Sequence, residues 1–382
     1  MGTVSPDAPT PAVAAAPRVA LLVVALGRTS RLVACLRALR DHESRTPFEI
    51  VCVVNPGGGD DPAVDAALRG MDVPIIEPAI NLGWAGGLHR ARAETAAELL
   101  VWVQDDMVVL PGWLDALVDA ADAHPALGAL GSVQVDADGA VQRFTGGWCT
   151  DDLATWSATD DSHRRRPVGV EARDWVTSKG LLVRAAAWDA IGGPDPSLYP
   201  LSYTDLDLCT HLRAHGWPVA LVGEALIRHE GQQSAAGMLR RYLAERLTPR
   251  VHERWSRVVP ALRVGGAAVV EHECTAERAA DVEGWCAREA LDIVVGFGRW
   301  AERARRAEAE EAATLLAERE RVIRELDEGF RTALEQLAAV QAERDAMRRT
   351  WSWRLTAPLR ALQRALRVRP GVNLSSNETA GD

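Results

Sequence analysis

Residues 99–113 read LLVWVQDDMVVLPGW, an apolar run that stops at two adjacent acids, Asp105 and Asp106, before the chain turns at Leu-Pro-Gly. Neighbouring carboxylates repel, and burying both is costly without a compensating cation. A hard divalent cation, Mn2+ or Mg2+, removes that cost because it takes carboxylate and phosphate oxygens together. Acids at a strand end are also ordinary turn formers, and one of them could cap the helix or loop at Pro111. Taken alone, the pair suggests a metal and names no reaction.

Three other clusters carry polar groups suited to phosphate or proton chemistry. In Asn81-Leu82-Gly83-Trp84-Ala85-Gly86-Gly87-Leu88-His89-Arg90, Asn81 and the glycines precede or open a helix. Small residues let a ligand approach the backbone, and a helix start offers free N–H groups to an anion. Close helix–sheet packing explains Gly86 and Gly87 equally well, and neither the Walker A nor the GxGxxG spacing is matched. In Tyr203-Thr204-Asp205-Leu206-Asp207, Asp205 stands at a helix start, either as its cap or as a carboxylate free to accept a proton from an attacking alcohol. Asp207, two residues on, points elsewhere on a helix and fits a supporting role, with the acceptor side as its other assignment. Arg228-His229-Glu230-Gly231 offers an imidazole, which is either a metal ligand or a structural side chain.

The first half of the chain alternates strand-like and helix-like segments, as an α/β fold with a mostly parallel sheet flanked by helices requires. Strands are expected at Val19–Leu26, Phe48–Val54, Val73–Ile76, Leu99–Val103, Ala126–Val135, Val176–Val183, Val219–Val222 and Ala225–Arg228. Helices are expected after an N-cap at Ser30, and over Pro62–Arg69, Ala85–Glu98, Leu114–Ala123, Ala185–Ile191 and Asp205–His215. Residues 136–173 read as a long loop with a hairpin. Ligands in such sheets bind beyond the carboxyl ends of the strands, where Asp105 and Asp106 stand.

The chain has 382 residues and a formal net charge of -10, which excludes a general nucleic-acid binder. Six scattered cysteines with no CxxC suit a reduced cytosolic interior, and His272/Cys274/Cys286 has poor spacing for a metal site. The run Val19–Leu26 lacks the basic leader of a signal peptide, and no segment is long enough to span a bilayer. Lys179 is the only lysine.

Order and spacing together make these signals specific. Over residues 18–234 the chain resembles the family 2 glycosyltransferases of the GT-A fold. The resemblance runs through VALLVVALGR, FEIVCVVNPGGGD, INLGWAGGLHRA, VWVQDDMVVLPGWLDALV, GLLVRAAAWDAIGGPDPSLYPLSYTDLDLCTHLRAHGW and IRHEGQQS. It is nearest to bacterial rhamnosyl- and galactofuranosyltransferase-like members that extend surface glycans. It implies a nucleotide-sugar donor, a glycan acceptor and inversion at the anomeric carbon. By position, Asp106 helped by Asp105 is the metal-binding acid, His229 completes the metal shell and Asp205 is the catalytic base. Ala25, Leu26 and Arg28 with the Asn55 turn match the nucleotide edge. Asn81, Gly83, Trp84 and Gln104 match the donor side, and Lys179 borders the acceptor pocket. The chain departs from the family at Leu26-Gly27-Arg28, at Val54 where an Asp is usual, at Thr204 and at His89. A sugar nucleotidyltransferase would need a Gly-rich basic loop after the first strand, which is absent. The altered nucleotide edge leaves a degenerate scaffold, working through a coiled coil, as the alternative.

The organisation expected is a disordered Ala/Pro-rich leader at 1–17, the GT-A domain at 18–238, a helical extension at 239–300 and a long helix or coiled coil at 301–350. A basic amphipathic helix at 351–370 and a disordered tail at 371–382 follow. Leu316, Ile323, Phe330, Leu337, Arg344 and Trp351 at heptad a put Arg319, Leu326, Ala333, Val340 and Met347 at d. That pattern implies either a homodimer through 316–351 or a long solvated helix. The segment 348–369 carries seven arginines, no acid and two tryptophans, suiting an anionic membrane surface or an acidic face of the protein itself. With Arg164, Arg165 and Arg166 it suggests a lipid-linked acceptor whose diphosphate meets arginine. The expected location is cytoplasmic, peripheral on the inner face of the cell membrane.

Overall fold

The computed structural model describes residues 17–57, 61–142, 145–149, 165–229, 237–263 and 280–349, with Thr356 and Pro358. Apart from Pro17 and those two positions, the leader, Arg164, the basic segment 351–370 and the tail lie outside the described residues. The chain opens with β1 (Val19–Leu26), α1 (Ser30–Arg40), β2 (Phe48–Asn55), α2 (Pro62–Arg69) and β3 (Ile75–Ile76). It continues with α3 (Gly83–Arg92), β4 (Leu99–Gln104), β5 (Met107–Val109), α4 (Trp113–Ala123) and β6 (Ala129–Val135). Then come β7 (Gly146–Gly147), β8 (Val170–Arg173), β9 (Trp175–Val176), β10 (Leu181–Arg184), α5 (Ala185–Ile191), α6 (Thr204–Ala214) and β11 (Val219–His229). The helices α7 (Met238–Trp255), α8 (Val258–Arg263) and α9 (Val282–Arg349) follow.

Nine strands form one sheet in the order β3-β2-β1-β4-β10-β6-β11-β5, with β8 also on β11. The first four run parallel, as do β6 and β11, while β10, β5 and β8 run against their neighbours. β1 shows why this sheet forms. Its side chains alternate, Ala20, Leu22 and Val24 entering the core on one face and Val19, Leu21, Val23 and Ala25 the core on the other. A strand covered on both faces has to be apolar throughout, and VALLVVAL is.

Several element ends differ from the sequence reading for local reasons. Thr29, not Ser30, caps α1, its side chain accepting from Leu32 N. α3 starts at Gly83 and stops at Arg92, short of Glu98. The strand expected over 176–183 is broken by a turn, because Gly180 takes φ +64 and a Cβ there would lie 2.6 Å from Ser132 Oγ. The two short strands expected at 219–228 are one strand, β11, carrying an irregularity between Val222 and Leu226.

By packing, the chain divides into compact units at 1–301 and 302–382. Within the first, α7 is part of the sheet's own core through Leu247, Val251 and Trp255. Glu289 of α9 pairs with Arg246 and Arg250 of α7 at 2.6 and 2.9 Å. In the second unit, nearly every described side chain of α9 is exposed. Among the described residues no helix is long and apolar enough to cross a membrane.

The polar centre of the first unit lies under α6. Asp195 and Asp207 are both buried, and Arg254 of α7 donates to each, at 2.6 Å to Asp207 Oδ1. Trp255 Nε1 donates to the same oxygen at 2.8 Å. The acceptor side was the other assignment of Asp207; its carboxylate is buried in the core and its Oδ1 is taken by Arg254 and Trp255. Burial pushes the Asp207 carboxyl above the usual range, and Arg254 opposes that push. Removing the guanidinium leaves two buried acids without the cation that lies between them. Arg254→Met should therefore lower stability by about 3–5 kcal/mol. The Asp207 carboxyl, already raised by burial, would lose the cation that opposes the push, so the folded variant would hold more protons than the unfolded chain and lose stability as pH rises. Denaturation should show a larger deficit at about pH 8 than at about pH 5; equal deficits would count against the pairing.

Candidate active site

β4 ends at Gln104, and Asp105 and Asp106 form the turn into β5. β5 pairs with the last residues of β11, Met107 opposite His229. That register brings His229 Nε2 to 3.0 Å from Asp106 Oδ2. The other oxygen, Asp106 Oδ1, is buried without a hydrogen-bond partner. Asp105 is partly buried, and its Oδ2 accepts from Thr29 Oγ1 at 3.5 Å. Burial pushes the Asp105 carboxyl up, Arg31 opposes, and the Asp106 charge adds to the push.

A divalent cation fits this arrangement. No three His, Cys, Asp or Glu side chains converge as a ready-made cage among the described residues. A cation that serves phosphate chemistry needs fewer, because substrate phosphates and water complete its shell. The orphaned Asp106 oxygen is the group such an ion would satisfy. His229 donates to Asp106 in this geometry, so it positions that carboxylate and becomes a ligand only by exchanging the proton for the ion.

Asp205 is reached from the same strand end through two hydrogen bonds. Gln104 Nε2 donates to Ser178 Oγ at 3.2 Å, and Ser178 N donates to Asp205 Oδ2 at 3.1 Å. Asp205 Oδ1 accepts from Leu206 N at 3.0 Å. Tyr203, at φ +62, is the residue before the helix, so Asp205 lies inside the first turn of α6 and is not its cap. Lys179 sits in the same turn as Ser178. Burial pulls its ammonium below the usual lysine range, while the charges of Asp205 and Asp106 oppose the shift.

The expected donor-side residues divide by what their side chains do. Leu26, 46% exposed at the end of β1, offers free surface, whereas Ala25 is buried. Arg28 donates to Asp65 at 2.8 Å and Glu77 at 2.7 Å, so its charge is matched inside the protein. Asn55 is a buried clamp, donating to Gly83 O at 3.1 Å and accepting from Leu82 N at 2.8 Å. Asn81 Oδ1 accepts from Gly83 N at 2.7 Å. Gly83 itself takes φ +63 with Pro200 O 2.6 Å from where a Cβ would stand. Trp84 N donates to that carbonyl at 2.7 Å, and the Trp84 ring meets Trp102 edge-on.

Arg165 is not brought to this site. It donates to Glu171 Oε1 at 2.9 Å and Oε2 at 3.0 Å, and Glu171 stands opposite Leu221, toward the far end of β11 from His229. Eight residues of strand separate Leu221 from His229, about 26 Å. Thr29 and Ser178 belong to the site and were missed. The apolar pairs Trp175-Val176 and Leu181-Leu182 on either side made the turn read as part of one strand, and Gly180 was the available signal.

The family model described as Glycosyltransferase like family 2 matches residues 17–248. The N-acetylglucosaminyl-diphospho-decaprenol L-rhamnosyltransferase of Mycobacterium tuberculosis is 29% identical over 217 residues, covering 48% of this chain and 67% of that protein. An uncharacterized protein of Sinorhizobium fredii is 23% identical over 211 residues, 53% of this chain and 23% of its own. GalNAc-T7 with UDP, GalNAc and Mn2+ superposes with a TM-score of 0.48 at 14% identity, covering 74% of this chain and 58% of that one. Mannosyltransferase PcManGT from Pyrobaculum calidifontis with GDP-Man and Mn2+ gives 0.42 at 16% identity, with 74% and 87% covered. The family match spans more than half of the chain and takes in Asp106, Asp205 and His229; the chain belongs to family 2 of the glycosyltransferases, enzymes that transfer a sugar from a nucleotide-sugar donor.

Proposed function

We propose that this protein is a divalent-metal-dependent, inverting glycosyltransferase that extends a lipid-linked glycan. The observation that carries the reading is the partnerless Asp106 oxygen at the sheet edge, two hydrogen bonds away through Gln104 and Ser178 from Asp205. Asp106, with Asp105 beside it and His229 behind it, would hold Mn2+ or Mg2+, which when bound neutralises charge on the departing diphosphate. Asp205, aimed by the Ser178 amide, takes the proton of the acceptor hydroxyl as that oxygen attacks the anomeric carbon. The bond from that carbon to the diphosphate oxygen breaks on the opposite face, and the configuration inverts. The lipid-diphosphate acceptor is carried over from the printed name of the mycobacterial relative and agrees with the arginine-rich segment at 348–369.

Lys179 is the cation the chain itself supplies between Asp106 and Asp205. A half-desolvated ammonium with two acids near it suits a phosphate oxygen, and we assign it to the leaving diphosphate or to the acceptor's. Leu26 would cover one face of the donor base. Asn55, Asn81 and Gly83 act on the donor indirectly, by shaping the backbone that Trp84 projects from.

Asp205→Asn should reduce transfer by about 10²–10⁴-fold, with nucleoside diphosphate binding unchanged by calorimetry. Wild-type turnover in that variant would remove Asp205 from the role of base. Chelation should abolish transfer, and Asp106→Ala should abolish the thermal stabilisation given by Mn2+ plus a nucleoside diphosphate. A wild-type chain that no nucleotide stabilises would favour the scaffold reading. Lys179→Met should weaken a diphosphate-bearing ligand by roughly 10- to 100-fold and leave the matching nucleoside unaffected; equal affinities would release Lys179 from phosphate.

A further inference from the structure

We propose that the opening turns of α9 hold the loop 81–84 in place, with Cys286 as a positioning residue for the donor, resting on the donor-side role proposed above for Trp84. Leu82, Tyr199 and Cys286 are buried together in a small core of their own, with Val282, Ala290 and Ile293 packed against it. Positions 282, 286, 290 and 293 recur at helical spacing, so one face of α9 supplies half of this core. The other half comes from the loop that opens α3 and from Tyr199, in the turn that leads to Asp205. These α9 residues lie well past the catalytic domain expected at 18–238, in the helical segment whose sequence shows no chemistry of its own.

Cys286 acts on the loop's backbone. Its Sγ donates to Leu82 O at 3.2 Å. Burial pushes the thiol up to about 12, so it keeps the proton that it donates. Asn55 holds the same stretch from β2, and Pro200 holds it from the turn before α6. Cys286 adds the hold from α9. The register of α9 is fixed one turn further on, where Glu289 pairs with Arg246 and Arg250, and Arg250 also donates to Ser197 O at 3.1 Å.

The adjacent glycines of α3 carry the same contact into the sequence. Alanine is ordinarily the better residue inside a helix. At Gly86, however, a Cβ would lie 2.8 Å from Cys286 Sγ and 3.1 Å from Val282 Cγ1. At Gly87 it would lie 2.5 Å from Val24 Cγ1 of β1. Gly87 thus serves helix–sheet packing, while Gly86 admits α9 to the start of the donor loop.

The test measures, in the full chain, amide hydrogen exchange at 82–84 and binding of UDP, GDP and dTDP, each with Mn2+. Gly86→Ala should speed that exchange by roughly 10-fold and weaken the tightest nucleotide by roughly 10-fold. Cys286→Ala alone should give a smaller loss of both. The double variant should return to the level of Cys286→Ala, because the new Cβ occupies the space that the sulfur left. Cys286→Ser keeps a donor for Leu82 O and should lie closer to wild type than Cys286→Ala; this pair carries the test if Gly86→Ala does not fold. Unchanged exchange at 82–84 in every variant, or a double variant worse than Gly86→Ala, would overturn the hold by α9. Faster exchange with unchanged nucleotide affinity would overturn the positioning of the donor. A wild-type chain that binds none of the three nucleotides would count against the donor reading, and the exchange pattern would still decide whether α9 holds the loop.

Discussion

One guanidinium between two buried carboxylates sets much of what surrounds it. Asp195 lies in the loop before α6 and Asp207 in its first turn, and both are buried. Two such charges are tolerable only if a cation is buried with them and hydrogen-bonded to both. Arg254 satisfies that condition from α7, a helix that lies outside the strand–helix alternation. Satisfying it fixes α7 under α6 and completes the core through Trp255. The helical segment after the sheet is therefore an internal support of the domain. Glu289 repeats the device one layer out, where Arg246 and Arg250 hold α9 to α7.

With α6 anchored, the chain before it can carry strain. Ser202 and Tyr203 adopt φ +93 and +62, left-handed conformations that cost a non-glycine residue on the order of 1 kcal/mol each. The Tyr203 hydroxyl is held to Thr248 of α7 at 2.6 Å, and Pro200 O to Trp84 N. These contacts keep the strained turn in place, and the turn delivers Asp205 to the carboxyl edge of the sheet. The antiparallel strand β10 contributes from the other side. Because it runs against β4, its leading turn at 177–180 opens onto the same edge, where Ser178 joins Gln104 to Asp205.

The regular half of this arrangement was legible in the amino-acid order, and the irregular half was not. Apolar runs such as VALLVVAL and LLVWVQ declare buried parallel strands, and acids directly after them declare a ligand edge. Asp105, Asp106, Asp205 and His229 could be singled out because their types are costly in those places. Ser178 could not, since its bond to Asp205 is made by a backbone N–H that every residue but proline has, and a serine hydroxyl such as the one that accepts from Gln104 is ordinary in any turn. Asp207 was legible only as a carboxylate, because the pairing that buries it depends on Arg254, 47 residues away. The role of Asn55 was hidden for a similar reason: its amide is engaged by Leu82 and Gly83, 27 and 28 residues away.

That clamp bears on how the donor base is read. Near the end of β2 stands Val54, buried, and the polar residue after it is also buried, with its side-chain oxygen and nitrogen both engaged by the backbone of Leu82 and Gly83. Arg28, the next polar side chain along the edge, is matched by Asp65 and Glu77. Among the described residues, the end of β1 adds to that edge the exposed Leu26 and main-chain groups. A leucine face discriminates weakly among bases, since apolar contact has no directional donor or acceptor. The strong directional groups among the described residues are Asp106 and Lys179, which the proposed function assigns to the metal and the phosphates. Affinity for the donor should thus be concentrated in its diphosphate and metal, with the base contributing area more than selection.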